Sequence, residues 1–246
     1  MKHIILVALL AISAIMIQSC GDDNLPTEAM ASFEMKAVTN ASTLATSGRV
    51  EAAGYTFTEV FVGVTEIELE TLEENQEEEE NGESEDEEVE FEGNFIIDLL
   101  TGVSDPDFGF TELLSGVYEE VEIEFENILE CNNTLIAKFH ITPEWSTEPT
   151  FVEFSTAEEF EIEIENKAGF VLDGGMLNSI LVTLDLDVLF ASIDFSSLQA
   201  GEDGVIRINE HSNRELMDSI VEKLEMALEA EEVDDDDDDD DESEDD

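Results

Sequence analysis

Residues 119–127, "EEVEIEFEN", constrain the fold more than any other stretch, because Val121, Ile123 and Phe125 alternate strictly with Glu120, Glu122, Glu124 and Glu126. A period of two puts successive side chains on opposite faces of an extended strand, whereas a helix would spread the glutamates around its circumference. A carboxylate buried without a partner costs several kcal/mol, so the glutamates must face water and the apolar residues a core. The segment is read as a half-buried strand of a layered β structure.

The same period recurs along the chain. Phe33, Met35 and Ala37 open it; Val60, Val62 and Val64 share one parity while Ile67 and Leu69 share the other, a phase shift that predicts a bulge at Gly63. Val89 and Phe91 follow, then Phe95, Ile97 and Leu99; Leu135, Ala137, Phe139 and Ile141; Phe160, Ile162 and Ile164; and Val182, Leu184, Leu186, Val188 and Phe190. Short connections without helical crossovers predict a mainly β fold, an antiparallel sandwich of immunoglobulin or prealbumin type. One C-terminal amphipathic helix is expected after a short strand at Val205 to Ile208. Ser212-Asn213-Arg214-Glu215 reads as its capping box, and Leu216, Ile220, Val221, Leu224 and Leu228 form a stripe that packs on the sandwich.

Ahead of these strands, Met1-Lys2-His3 and the apolar run Ile4 to Ile17 read as a signal peptide. The run falls short of the ~20 residues a spanning helix needs. Ile17-Gln18-Ser19-Cys20 resembles a bacterial lipobox, which makes Cys20 the expected lipidated first residue. Gly21-Asp22-Asp23-Asn24 resembles the acidic export signal of surface lipoproteins in Bacteroidetes-type bacteria; a solvated tether is the alternative. The expected location is the outer membrane, lipid-anchored on its extracellular face, with the periplasmic face as the alternative. The organisation follows: signal peptide 1–19, lipidated tether 20–30, sandwich 31–200, strand and helix 201–232, and polyacidic tail 233–246.

Charge narrows the partners. The chain has 66 acidic and 8 basic residues, and loss of residues 1–19 removes one more positive charge, Lys2. Residues 73–90 hold 12 acids in 18 positions and residues 229–246 hold 15 in 18, so disorder is expected in both the loop and the tail. Nucleic acid is excluded for want of a basic patch, and the membrane is met through the N-terminal lipid only. Cations and the basic faces of other proteins are the expected partners.

"EVFVGVTEIELE", "NFIIDLL", "LLSGVYEEVEIEFEN" and "LVTLDLDVLF", in that order, are similar to the segments of the domain of unknown function 4382 family, found in secreted bacterial and archaeal lipoproteins. The resemblance covers residues 31 to about 200. It implies an extracytoplasmic β-sandwich and brings no activity with it. The acidic insertion and the helix with its polyaspartate tail depart from the family pattern.

Catalytic chemistry finds little footing. Outside the signal run the histidines are His140 and His211, with no HExxH, cysteine cluster or glycine-rich phosphate loop, and no catalytic residue is assigned. Cys131, left unpaired once Cys20 carries lipid, is expected to be a partly buried structural residue. Calcium, the one cofactor considered, needs oxygen ligands. Asp203 and Glu210 fall at the fifth and twelfth places of an EF-hand-like loop whose first and third places, Gln199 and Gly201, break the pattern; a turn into a strand is the competing reading. Asp105 and Asp107 on a loop, and Asp185 and Asp187 on one face of a strand, are further candidate ligands, or else ordinary turn and solvent-facing acids. The expectation is a non-enzymatic binding or adhesion lipoprotein. A calcium-binding or calcium-buffering surface protein is the alternative, and a secreted hydrolase stands third.

Overall fold

Alternating strands are stable only when a second layer covers their apolar face, and this chain supplies one. The computed structural model describes residues 28–39, 50–52, 55–71, 89–142, 148–190, 193–195, 198 and 200–233. Cys20, the signal-like run, residues 73–88 of the acidic loop and the tail from Asp234 lie outside them. Among the described residues the strands form two sheets. One has the order β13 (Leu228–Val233), β11 (Leu177–Asp185), β1 (Glu28–Val38), β6 (Thr111–Leu114). The larger runs β10 (Phe160–Leu172), β7 (Gly116–Phe125), β3 (Tyr55–Thr71), β8 (Leu135–Ile141), β9 (Thr150–Thr156), β12 (Ile206–Ile208); β2 (Val50–Ala52) and β4 (Val89–Asp98) also pair with β3, and β5 (Val103–Asp105) with β4.

The inner faces share one apolar core. Phe33 and Met35 of β1 and Ile180, Val182 and Leu184 of β11 belong to the same buried cluster as Val64, Ile67 and Leu69 of β3 and Val121, Ile123 and Phe125 of β7. Phe33 meets Phe91 of β4 edge-on across the layers, with ring centroids 5.0 Å apart. The protein is thus a mainly β, two-sheet sandwich.

The strand β3 is the spine of the larger sheet. Its first half pairs with β8 and its second half with β7 on the same edge, while β4 runs along the other edge. Gly63 stands at the junction: its N–H donates to the Thr134 carbonyl at 2.9 Å, and its carbonyl accepts from Glu126 N–H at 3.1 Å. The phase shift expected at Gly63 falls just after it, between Val64 and Glu66. Gly63 itself serves close approach, because a Cβ there would lie 2.5 Å from Ile128 Cγ1 and 2.6 Å from the Glu126 carbonyl oxygen. Gly63→Ala is expected to cost about 1–3 kcal/mol in denaturant melts, since a backbone oxygen cannot give way as a side chain can. A cost near zero would show that the two halves of the sheet move apart freely.

Several expectations change. The sandwich is not wholly antiparallel: β1 pairs β11 in parallel, and β12 pairs β9 likewise. No single helical crossover joins these partners, because the chain between them runs through the opposite sheet, and that excursion serves as the crossover. The strand expected to reach Phe190 stops at Asp185, and α1 (Leu186–Leu189) follows. The expected C-terminal helix is α2 (Arg214–Val221) and a single turn, α3 (Leu224–Ala227). Leu228 then begins β13, so residues 229–233, expected among the disordered acids, are instead a strand that pairs with β11 and satisfies a backbone edge that would otherwise stay open. The capping box does not form: Asn213 occupies the N-cap in the left-handed region (φ 56°, ψ 39°) with no side-chain cap bond, and its Nδ2 donates instead to the Arg207 carbonyl. The first strand starts earlier than expected, at Glu28, with Ala29 already buried, and Val89 and Glu90 of the acidic loop are strand residues of β4. Cys131 is exposed in a turn at φ 61°, not partly buried.

Candidate cation-binding face

The outer face of the larger sheet carries the strand glutamates, and register decides how they meet. On β10, Glu161, Glu163 and Glu165 stand opposite Glu124, Glu122 and Glu120 of β7. Those three face Glu66, Glu68 and Glu70 of β3, and on the far side Glu66 and Glu68 face Glu92 and Glu90 of β4. The result is three transverse rows: Glu161–Glu124–Glu66–Glu92, Glu163–Glu122–Glu68–Glu90 and Glu165–Glu120–Glu70. Strands lie ~4.8 Å apart and same-face residues ~6.8 Å apart along a strand, so the carboxylates form a near-regular lattice.

This arrangement is costly without counter-ions, since like charges directly opposite across a ladder repel. The carboxylate oxygens converge closely at three places, Glu66 with Glu90 and Glu92, Glu68 with Glu70 and Glu122, and Glu120 with Glu122 and Glu163, each set within 4.8 Å of one another. Loss of hydration, a hydrogen bond with Glu66 and the charges of Glu122, Glu66 and Glu90 push the Glu68 carboxyl up to about 7. Glu120, Glu122 and Glu124 are raised too, first by desolvation and then by glutamates of the adjoining strands, foremost the diagonal Glu163 and Glu161 for the first two and the facing Glu66 for Glu124. None of the ion pairs Lys36–Glu34, Lys138–Glu59, Arg207–Glu153, Arg207–Asp203 and Arg214–Asp218 includes a glutamate of the three rows.

The other half of the same sheet shows what a paired row looks like. Glu59 of β3 stands opposite Lys138 of β8, Lys138 opposite Glu153 of β9, and Glu153 opposite Arg207 of β12. Signs alternate along this row, and Lys138 bonds Glu59 while Arg207 Nε meets Glu153 Oε2 at 3.0 Å. The mixed row is neutralised by side chains of the protein, whereas among the described residues none of these ion pairs reaches the three glutamate rows, which protons or ions from solution can neutralise. No family model, no curated protein and no solved structure matches this chain.

The candidate ligands named from the sequence lie elsewhere, and none of them belongs to the three converging groups. Asp105 closes β5 and Asp107 turns on itself, its Oδ1 accepting from Gly109 N–H at 2.8 Å. Asp185 is the N-cap of α1, its Oδ1 accepting from the N–H groups of Asp187 and Val188, and Asp187 sits in the first helical turn rather than beside it on a strand. Asp203 is held by Arg207, with Oδ2 2.7 Å from Nη2, and Glu210 Oε1 accepts from Ala157 N–H at 2.6 Å. The row glutamates were visible in the sequence as "TEIELE", "VEFE", "EEVEIEFE" and "FEIEIE". Each run by itself signals a solvated strand face, and only pairing in register turns four such runs into one array.

Beside the edge strand β10, the array borders a cleft of about 610 Å³ lined by Glu161, Glu163, Glu165 and Glu225 with Ile162, Ile164 and Leu228. The negative surface thus continues around the sheet edge toward α3.

Proposed function

We propose that this chain is a non-enzymatic, lipid-anchored surface protein whose glutamate rows take up divalent cations of the calcium class. The observation that carries the reading is the register of the rows, which brings carboxylates from four strands into converging groups, with no ion pair to a basic side chain among the described residues. Calcium prefers six to eight oxygen ligands in flexible geometry, and carboxylates from neighbouring strands, completed by water, supply them on an open face. The raised carboxyls lie on that open face rather than in the cleft beside α2 that Asp194, Arg214, Glu215 and Ser219 help to line, which favours binding over acid–base catalysis. Cys20, at the lipobox-like run, is the proposed anchor, and the resemblance to the lipoprotein family fits an extracytoplasmic site where calcium is plentiful.

Calcium titration followed by calorimetry tests this reading against loose condensation on the acidic loop and tail. A saturable component is expected that survives deletion of residues 234–246. It should weaken at least roughly tenfold, ~1.4 kcal/mol per site, when Glu68→Gln and Glu122→Gln are combined. Saturable binding that vanishes with the tail, or that ignores the two substitutions, would assign the cations to the low-complexity segments instead.

A further inference from the structure

Apolar residues are exposed on both outer faces of the sandwich at one end, and at the same level. On the larger sheet Val171 is 47% exposed between the buried Phe170 and Leu172, and it pairs with half-buried Val117 in the next-to-last row of β10 and β7. On the smaller sheet Leu177 is 43% exposed and pairs with half-buried Met30 in the terminal row of β11 and β1. Met176, 53% exposed, lies in the connection that joins the two faces.

That connection is firmly built. The Asn178 side chain, itself buried, donates from Nδ2 to the carbonyls of Met30, Asp173 and Met176, and its Oδ1 accepts from Asp173 N–H. Gly175 N–H donates to the Glu28 carbonyl at 2.8 Å, which ties the tip to the first described residue of the chain. Seven residues separate Cys20 from Glu28, so the eight steps between them reach at most ~29 Å at ~3.6 Å each.

We propose that this end of the sandwich rests in the headgroup layer of a zwitterionic lipid surface, with Val171, Met176 and Leu177 as its apolar collar. The proposal rests on the lipid anchor at Cys20. A second copy or a protein partner docking on one sheet would need apolar residues on one face, whereas a plane crossing the ends of the strands meets both faces together. The anchor enters at this end, so the collar is the part of the fold held nearest the bilayer. Charge selects the lipid: Thr71 and Val89 close the same end, and the 11 acids between them in the chain oppose an anionic headgroup layer.

The test uses the full chain in phosphatidylcholine vesicles, with acylation of Cys20 read from the mass of the N-terminal peptide. Nitroxide labels are placed through Met176→Cys or Val171→Cys, each with Cys131→Ser, and a control label through Glu202→Cys near the opposite end of the larger sheet. Collisions with oxygen, which concentrates in the bilayer, should exceed those with a water-soluble nickel chelate by roughly threefold or more at positions 176 and 171, and the order should reverse at position 202. Water-facing labels at 176 and 171 on acylated protein would overturn the collar and leave the anchor standing. Immersion of 176 with 171 in water would mean docking on one face, which also overturns it. An unmodified Cys20 would remove both the anchor and the collar, and protection at both positions without vesicles, with a doubled mass in light scattering, would assign the surface to a second copy.

Discussion

At 10 mM ionic strength the protein is expected to lose stability as the pH rises from about 4.5 to above 7, the opposite of the usual trend for carboxylate-rich proteins. Glu68 is raised from 4.5 to about 7, and Glu120, Glu122 and Glu124 are raised with it, so the folded state holds protons that the unfolded chain has released. Where the folded state binds more protons, the free energy of unfolding falls with pH. The stabilisation is complete below the unfolded value and gone once the pH passes the folded one. Open carboxyls are partly screened by water, which holds the total to about 1–2 kcal/mol, or roughly 2–8 °C in melting temperature for a chain of this size. Asp203 works in the other direction and in another window: Arg207 holds it down to about 2, so its contribution disappears as the pH falls from 3.8 toward 2. The greatest low-salt stability should therefore lie near pH 4–5. Sodium chloride at 0.5 M should flatten the decline by shortening the Debye length from ~30 Å at 0.01 M to below 8 Å. Thermal melts at pH 5 and pH 8 in 10 mM and 0.5 M salt make the check, and a melting temperature that climbs from pH 5 to pH 8 at low salt would show that the glutamate rows do not share protons.

Ile123→Ala is expected to cost about 2–5 kcal/mol. Ile123 is fully buried and sits between Ile162 of β10 and Ile67 of β3 in an all-apolar row, so the lost methyl groups leave a cavity bounded by strands that cannot collapse into it. Its neighbour Glu122 stands between Glu163 and Glu68 on the other face. Glu122→Gln removes one charge from a row of four and should be neutral or stabilising at pH 8 and low salt. The contrast between adjacent residues separates the two faces of one strand, and denaturant melts that ranked them the other way round would place the core on the glutamate side.

The residues themselves account for the layers. Alternation in "VEIEF", "IAKFH" and "FEIEIE" can be met only by strands with one wet and one dry face, because the cost of burying a charge is paid locally, whatever the partner strand. The two-sheet architecture follows from that, as does the bulge near Gly63, since a change of parity within one strand needs an extra residue. The C-terminal segment was less legible. Leu224 and Leu228 are four apart and fit a helix, but Leu228 and Ala230 are two apart and fit a strand, and the open edge of β11 chose the strand. Short strands such as β5 and β6 carry too few residues for any period to show.

The sequence by itself determined which glutamates face water, because side-chain period and desolvation act within a single strand. Only the tertiary structure decided which of them face each other. Register is set by the packing of the opposite, apolar face and by bulges between Val64 and Glu66 and between Glu165 and Phe170, and these depend on strands far apart in the chain. Through that registration the acids of β3, β4, β7 and β10 became one repelling array, while Glu59, Lys138, Glu153 and Arg207 became a neutral row in the same sheet.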